Sequence, residues 1–223
     1  MIRDAPSPNA DSRPDGVPVD VLILHYTGMQ SAEAAIARLR DPESRVSSHY
    51  VVEEDGAVWQ LVQERSRAWH AGVSCWRGHH GLNGRSIGIE IVSPGHEWGY
   101  RPFPALQMAA VCELCLGILA RHPIPARNVV GHSDVAPDRK QDPGELFDWQ
   151  GLAQNGVGLW PASSPDEVPE DKVTAALAAI GYPSMDPATV LRAFQRHWRP
   201  EAVTGTADSG TRRALRAVWD LTQ

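Results

Sequence analysis

Long apolar runs are missing from this sequence of 223 residues, because no stretch approaches the roughly 20 residues that a helix needs to cross a bilayer. Its first residues, MIRDAPSPNADSRPDG, are polar and lack the apolar segment of an export signal. We therefore expect a cytoplasmic protein with no transmembrane segment, or a periplasmic protein if a signal has been removed. The same composition, rich in Pro, Asp and Ser, predicts a flexible arm over residues 1–18.

An excess of positive charge is also missing. The 21 Lys and Arg residues are outnumbered by 27 Asp and Glu residues, which gives a formal net charge of −6. Proteins that bind nucleic acids carry clustered Lys and Arg, so this balance argues against a nucleic-acid partner.

Cysteine is scarce as well. An odd number of cysteines, Cys75, Cys112 and Cys115, without the spacing of a disulfide framework predicts free thiols. Cys112 and Cys115 form a C-x-x-C pair, a pattern that redox and metal sites share. They lie within the apolar helical stretch ALQMAAVCELCLGILARH, which favours ordinary core residues instead.

Strands alternate with helices over the first two thirds of the chain. The sequence predicts strands at VDVLILHYTG, SIGIEIV and NVVGHSD, helices over about 31–40 and 104–121, and a hairpin that turns at Asp55-Gly56. This alternation predicts an α/β fold with a central mixed β-sheet flanked by helices. A long loop over 68–84, rich in Gly, His and Trp, is typical of segments that line a site.

The composition changes beyond Trp149, where Gly, Pro and Ser become frequent. This change predicts a main domain over 19–160, a linker over 161–170 and a small C-terminal domain of three helices over 171–223. The three helical patterns lie near 171–180, 187–198 and 208–220.

Two histidines, His25 and His132, each end an apolar strand, and the ends of strands are where α/β sheets place their sites. After His132, Asp142 precedes a proline, which favours extended backbone, so Lys140 and Asp142 face the same side. Two imidazoles and one carboxylate match a catalytic zinc site that keeps a fourth position open for water. The alternative is that Asp142 caps a turn, and spacing alone does not decide between the two.

Five segments together resemble a known family. LILHYTG, SSHYVVEEDG, AWHAGVSCWRG, LNGRSIGIEI and GHSDVAPDRKQDPG stand in the same order as in the zinc N-acetylmuramoyl-L-alanine amidases, which are related to phage T7 lysozyme and the peptidoglycan recognition proteins. The resemblance covers about residues 20–160. It is greatest to the Gram-negative branch that includes the cytosolic recycling amidase and the outer-membrane lipoprotein amidase.

The resemblance implies a role for each of the candidate residues. It implies that Zn²⁺ is held by His25, His132 and Asp142, that Glu90 is the general base, and that Lys140 stabilises charge in the transition state. The T7-like branch has a cysteine as third ligand where this sequence has Asp142, which places the sequence with the recycling-type enzymes.

The implied reaction is hydrolysis of the amide bond between N-acetylmuramic acid, or its 1,6-anhydro form, and L-alanine of the stem peptide. Its substrates are peptidoglycan or muropeptides, and its setting is cell-wall turnover or recycling. Zinc-activated water is the expected nucleophile. Two alternatives are a non-catalytic peptidoglycan-binding protein and a zinc peptidase that cuts within the stem peptide. Retention of all five residues speaks against the first alternative and leaves the second open.

Substrate contacts are expected from the loop over 68–84. We expect Trp69 and His70 to line the cleft and Arg77 and Asn83 to contact substrate, whereas His49 is expected to be structural. The C-terminal segments ALAAIGY and VLRAFQRHW resemble a peptidoglycan-binding three-helix domain. The alternative for that domain is a structural cap on the catalytic domain.

Overall fold

The computed structural model describes residues 2–222. Ten strands run along the chain, β1 (Ile2–Asp4), β2 (Ala10–Ser12), β3 (Val21–Tyr26), β4 (Tyr50–Val52), β5 (Val58–Gln60), β6 (Ser66–Ala68), β7 (Cys75–Trp76), β8 (His79–His80), β9 (Ser86–Ile91) and β10 (Val129–Gly131). The helices are α1 (Ala32–Arg40), α2 (Ala105–Arg121), α3 (His132–Val135), α4 (Trp149–Gln154), α5 (Val173–Ile180), α6 (Pro187–Trp198) and α7 (Ser209–Thr222).

The central sheet has the order β1-β5-β4-β9-β3-β10. All its neighbouring strands are parallel except β4 and β5, which form the antiparallel hairpin predicted at Asp55-Gly56. The prediction of an α/β fold with a central mixed sheet flanked by helices is therefore confirmed. None of the helices in residues 2–222 is long and apolar enough to cross a membrane.

The central strand β3 is apolar on both faces because layers of structure cover both. Leu22 and Leu24 pack in one core with Cys115 of α2, whereas Val21 and Ile23 face the opposite layer. All three cysteines are free, and Cys115 is fully buried, as a core residue should be.

Helix α1 shows how local signals set an element's ends. The hydroxyl of Ser31 caps it by accepting a hydrogen bond from the Ala34 amide, and it ends before Asp41, whose backbone is extended as expected for a residue that precedes a proline. Ala35 and Leu39 are its buried residues. The helix predicted over 31–40 is thus present.

Residues 2–18 contain paired strands where a flexible arm was expected, and residue 1 lies outside the described residues. Strand β1 pairs in parallel with β5 at the edge of the sheet, and β2 pairs antiparallel with β6. Between them, Asn9 is buried, and its side chain donates hydrogen bonds to the carbonyl oxygens of Asp41 and Val46, both at 2.8 Å. The composition of this segment could not show that it is ordered, because the residues that stabilise it lie far along the chain.

The three C-terminal helices lie where the sequence predicted them, but they do not form a separate core. Ile23 and Val130 of the sheet share one apolar cluster with Phe194 of α6 and Leu215 of α7. Val168, within the predicted linker over 161–170, is fully buried in the same cluster. The C-terminal domain is therefore a layer on the sheet face opposite α2.

Candidate metal centre and active-site cleft

Three parallel strands, β9, β3 and β10, end side by side and place three functional side chains in a row. His25 is the register partner of Glu90, so the two residues project from the same face of the sheet. Leu24 is the partner of Gly131, which brings His132 beside His25. The register of this parallel sheet thus assembles residues that are far apart in the sequence.

Asp142 reaches the same place through the segment that follows β10. The sequence placed His132 at the end of this strand, but the strand ends at Gly131 and His132 begins the single helical turn α3. The chain then folds back, and the Ser133 amide donates a hydrogen bond of 2.8 Å to the carbonyl oxygen of Asp142. The structure therefore brings together the three predicted metal ligands.

Three electron-rich atoms converge at this point. The Nδ1 atoms of His25 and His132 lie 2.9 Å apart, and the Asp142 Oδ2 atom lies 3.1 Å from the first and 3.0 Å from the second. All three side chains are buried. Tetrahedral zinc, with bonds of about 2.0–2.1 Å, separates its ligand atoms by about 3.3 Å. The spacing therefore fits a zinc ion.

Hydrogen bonds on the far side of each ring determine which nitrogen faces this point. His132 donates its Nε2–H to the carbonyl oxygen of Ala71 at 3.1 Å, which leaves a lone pair on Nδ1. His25 places its Nε2 3.0 Å from Nδ1 of His70. If both Nδ1 atoms carry lone pairs, they repel each other and the carboxylate unless a cation lies between them.

The tautomer of His25 is set by a directional chain of hydrogen bonds. The Ser86 hydroxyl donates to the carbonyl oxygen of Leu82 at 2.7 Å, so its oxygen accepts from Nε2 of His70 at 3.1 Å. Nδ1 of His70 is then an acceptor and receives the Nε2 proton of His25. His70 thus fixes the tautomer of the candidate ligand His25, in addition to lining the cleft.

The protonation states suit metal binding. Burial, followed by the neighbouring His132, lowers the pKa of His25 to about 4, so this imidazole is neutral at pH 7. Burial alone would raise the pKa of Asp142, but its interactions with His132 and His25 lower it below the ordinary value of 3.8. Neutral imidazoles and a carboxylate are the donor set of a catalytic zinc site.

Glu90 has the environment of a proton acceptor. Its Oε2 atom is buried and has no hydrogen-bond partner among residues 2–222. Burial and the negative charge of Asp142 raise its pKa well above 4.5, and the charge of Lys140 opposes this shift. A carboxylate with a raised pKa takes up a proton more readily near neutral pH.

A cleft with a volume of about 220 Å³ opens over these residues. Trp69 and His70 line it, together with Glu90, Lys140 and the candidate ligands His132 and Asp142. One wall comes from α1 through Ala35, Arg38 and Leu39. This wall was not predicted, because Ala35 and Leu39 are buried, and the helical pattern of α1 does not distinguish a buried side that faces a cleft from one that faces an ordinary core.

Two predicted substrate contacts lie elsewhere. Arg77 donates from Nη1 to the carbonyl oxygen of Ile180 at 2.7 Å and so ties the loop to the C-terminal domain. The Asn83 side-chain oxygen accepts the amide protons of His70 and Ala71 at 3.1 and 2.7 Å. Neither residue lines the cleft. Both hold the 68–84 loop in place, which the sequence could not show because each partner is set by the fold.

His49 has the structural position predicted for it. Its ring is fully buried, and Nδ1 accepts the amide proton of Gly88 at 3.0 Å. This bond joins the start of β4 to β9 beneath His70.

Comparison with known proteins relates the chain to a family. The model of the N-acetylmuramoyl-L-alanine amidase family matches residues 15–145. The amidase AmiD of Escherichia coli K12 is 39% identical over 91% of this chain and 83% of its own length. The 1,6-anhydro-N-acetylmuramyl-L-alanine amidase AmpD of Salmonella typhimurium is 36% identical over 66% of this chain and 86% of its own length.

Solved structures of similar proteins support the same family. The E. coli AmiD complex with anhydro-N-acetylmuramic acid-L-Ala-D-gamma-Glu-L-Lys has a TM-score of 0.82 and 37% identity, covering 94% of this chain and 92% of that one. AMPDH3 of Pseudomonas aeruginosa, in complex with anhydromuramic pentapeptide, has a TM-score of 0.82 and 32% identity, covering 92% and 93%. Together with the strand-end site, these matches show that the chain belongs to the N-acetylmuramoyl-L-alanine amidase family.

Proposed function

We propose that the chain holds Zn²⁺ through His25, His132 and Asp142 and hydrolyses the amide bond between N-acetylmuramic acid and L-alanine in peptidoglycan fragments. The observation that carries the proposal is the convergence of two imidazole nitrogens and one carboxylate oxygen, about 3 Å apart, beside an unpartnered Glu90 oxygen. Zinc at such a site lowers the pKa of water toward about 7 and polarises a carbonyl group.

Glu90 performs the proton transfers. An amide is a poor electrophile and its amine is a poor leaving group, so the reaction needs a base for the attacking water and an acid for the departing nitrogen. The free Oε2 atom of Glu90 accepts the water proton and then passes it to the L-alanine nitrogen. The raised pKa of Glu90 favours the first of these transfers, because it makes the carboxylate a stronger base.

Lys140 supplies positive charge to the cleft. When water adds to the amide carbonyl, negative charge develops on the carbonyl oxygen. A cation placed beforehand near this oxygen stabilises the transition state, and groups of this type contribute about 3–4 kcal/mol in other enzymes. Lys140 follows α3, and its amide donates to the Ala136 carbonyl oxygen at 3.0 Å, which fixes its backbone beside Asp142.

The substrates proposed are muropeptides, including those with a 1,6-anhydro sugar. Two relatives of similar fold are in complex with anhydro-muramyl peptides, and AmpD carries that specificity in its name. The AmiD and AMPDH3 matches extend over nearly the whole chain, which supports the same ligand class here.

Mass analysis of a digestion tests this proposal. Zinc-loaded protein is incubated with one anhydro-muropeptide and one ordinary muropeptide, with and without chelator. We expect free sugar and intact peptide, loss of both with chelator, and recovery with added zinc. Peptides cut between amino acids would support the peptidase alternative. No product from the zinc-loaded protein would leave a non-catalytic peptidoglycan-binding protein as the better description.

We further propose that the C-terminal domain binds wall polymer, which is supported by the resemblance of its helical segments to peptidoglycan-binding domains. For the compartment we propose the cytoplasm, with the periplasm as the alternative that wall binding would favour. Sedimentation of the protein with insoluble peptidoglycan tests the first. Cell fractionation with cytoplasmic and periplasmic marker proteins tests the second, and recovery in the periplasmic fraction would contradict it.

A further inference from the structure

A buried carboxylate joins the metal-site segment to the C-terminal domain. Asp134, two residues after His132, is fully buried. Its Oδ1 atom accepts from the Tyr182 hydroxyl at 2.6 Å, and its Oδ2 atom accepts from Nδ1–H of His197 at 2.7 Å. Oδ2 also accepts the amide proton of Gly131 at 2.7 Å. Two of its three donors therefore come from the C-terminal domain.

The imidazole of His197 is itself held firmly. It stacks between the rings of Trp149 and Trp198, with centroid distances of 3.9 Å on both sides and interplanar angles of 17° and 1°. Trp198 donates its indole N–H to the Tyr182 hydroxyl at 3.2 Å. The two donors to Asp134 are thus connected to each other and have little freedom to move.

The same helix also touches the segment that carries the third ligand. Arg196 of α6 donates from Nη2 to the side-chain oxygen of Gln141 at 3.2 Å, and Gln141 lies between Lys140 and Asp142. The Ser133 amide, next to Asp134, donates to the Asp142 carbonyl oxygen. A displacement of Asp134 would therefore move the backbone segments that carry His132 and Asp142.

We propose that the C-terminal domain positions the metal ligands, with Tyr182 and His197 holding Asp134 and, through it, His132 and Asp142. This inference rests on the proposed metal-dependent function, but it assigns the domain a role that does not require wall polymer. Tyr182 and His197 lie beyond residues 15–145, the part of the chain that the family model matches. Both are positioning residues, since neither lines the cleft.

The test uses the full chain with substitutions at these two residues. His197→Ala removes the donor and the stacked ring, whereas Tyr182→Phe removes only a hydroxyl. His197→Asn keeps a donor close to the position of Nδ1 and serves as the rescue variant. Glu167→Gln is the matched control, because it neutralises a half-buried carboxylate that lies just before the domain and pairs with Arg212 of α7.

Three readouts separate positioning from wall binding. These are zinc affinity by chelator competition, the absorption spectrum of the Co²⁺-substituted protein, and kcat on a soluble muropeptide. For His197→Ala we expect zinc affinity and kcat to fall about 10–100-fold, the range for residues that orient metal ligands. Tyr182→Phe should lower both several-fold, His197→Asn should recover part of the loss, and Glu167→Gln should match the wild type. The cobalt spectrum should change only in the variants that lose zinc affinity.

Folded His197→Ala and Tyr182→Phe proteins with wild-type zinc affinity, cobalt spectrum and kcat would overturn the proposal, even if they bound insoluble peptidoglycan less well. If His197→Ala does not fold, Tyr182→Phe and His197→Asn decide by the same criteria. Wild-type protein that binds zinc but hydrolyses no muropeptide would refute the proposed function, and the zinc affinities of the variants would still decide the positioning role.

Discussion

At His25, a neighbouring side chain decides which ring nitrogen is available to a metal. Nε2 of His25 donates its proton to His70, and His70 donates its own proton to the Ser86 oxygen. The Ser86 hydroxyl in turn donates to the Leu82 carbonyl oxygen. Each proton in this chain has one acceptor, so the lone pair of His25 Nδ1 is directed at the centre. The function of a single residue here depends on two others that the metal does not touch.

Replacing His70 with alanine should therefore weaken zinc binding about 10–100-fold, because His25 loses the acceptor that fixes its tautomer. Chelator competition measures this change. His80→Ala, at an exposed histidine of the β7–β8 hairpin, is the matched control and should bind zinc as the wild type does. Equal affinities for the two variants would show that His70 only lines the cleft.

Glu90→Gln should reduce hydrolysis about 10²–10⁴-fold, since the amide cannot accept the water proton, while zinc affinity stays near that of the wild type. The wild-type rate should rise with pH through an apparent pKa above 4.5, because Glu90 must be deprotonated and burial raises its pKa. Muropeptide assays from pH 4 to pH 8 measure this limb. A rate independent of pH across that range would contradict the assignment of Glu90 as the base.

The same shift in pKa predicts an effect on stability. Below pH 4.5 the carboxyl is protonated in both the folded and the unfolded state and contributes no pH dependence. As the pH rises above 4.5, the unfolded state loses its proton first, so folding becomes less favourable. Metal-free Glu90→Gln lacks this penalty, and its melting temperature at pH 7 should equal or exceed that of the metal-free wild type.

Among the elements, β9 shows why one position must be glycine. Ser86, Gly88 and Glu90 alternate on the site face of the strand, and His70 lies directly over Gly88. A Cβ at this position would overlap the ring of His70, closer than about 3.0 Å, so the ring would have to move. The strand thus leaves space in its middle for the ring that orients His25.

Gly88→Ala should destabilise the fold by about 1–3 kcal/mol through overpacking and should also weaken zinc binding, because His70 must move. Gly117→Ala is the control, and we expect it to change the free energy of unfolding in the opposite direction. It lies inside α2, where a Cβ meets only the end of the flexible Arg121 side chain, and should stabilise by up to about 1 kcal/mol. Urea unfolding and chelator competition measure the two effects. A Gly88→Ala protein as stable as the wild type would show that His70 has room to shift.

Elements with local signals were predictable from the sequence, and contacts between distant elements were not. The apolar run that ends at His25 and the helical spacing of α1 appear in short windows of sequence. Arg77, by contrast, finds its acceptor Ile180 at a separation of 103 residues, and β1 finds its partner in β5. The candidate ligand set followed from motif order, whereas the α1 wall and the Asp134 contacts required the packed structure.

For the whole molecule, the shared core predicts cooperative unfolding. Because Ile23 of the sheet and Leu215 of α7 belong to one apolar cluster, neither domain can lose its part without exposing the other. Calorimetry should show a single transition for the full chain, with equal calorimetric and van't Hoff enthalpies. Two resolved transitions would contradict a common core.

Zinc should move that single transition to higher temperature. A ligand that binds only the folded state stabilises it by about 4 kcal/mol when its free concentration is about 1,000 times its Kd. Chelator should lower the melting temperature, and zinc should restore it. Replacement of Asp142 by alanine should remove the zinc-dependent part of the shift.

The common core also constrains how the protein is made. Val21 leaves the ribosome early, but the cluster that buries it is completed by Leu215 and Val218, near the end of the chain. At about 5–20 residues per second, the first strands wait roughly 10–40 s for these last partners. The proposed metal site therefore gains this support only after α7 has been made, so nascent chains that lack α7 should be inactive.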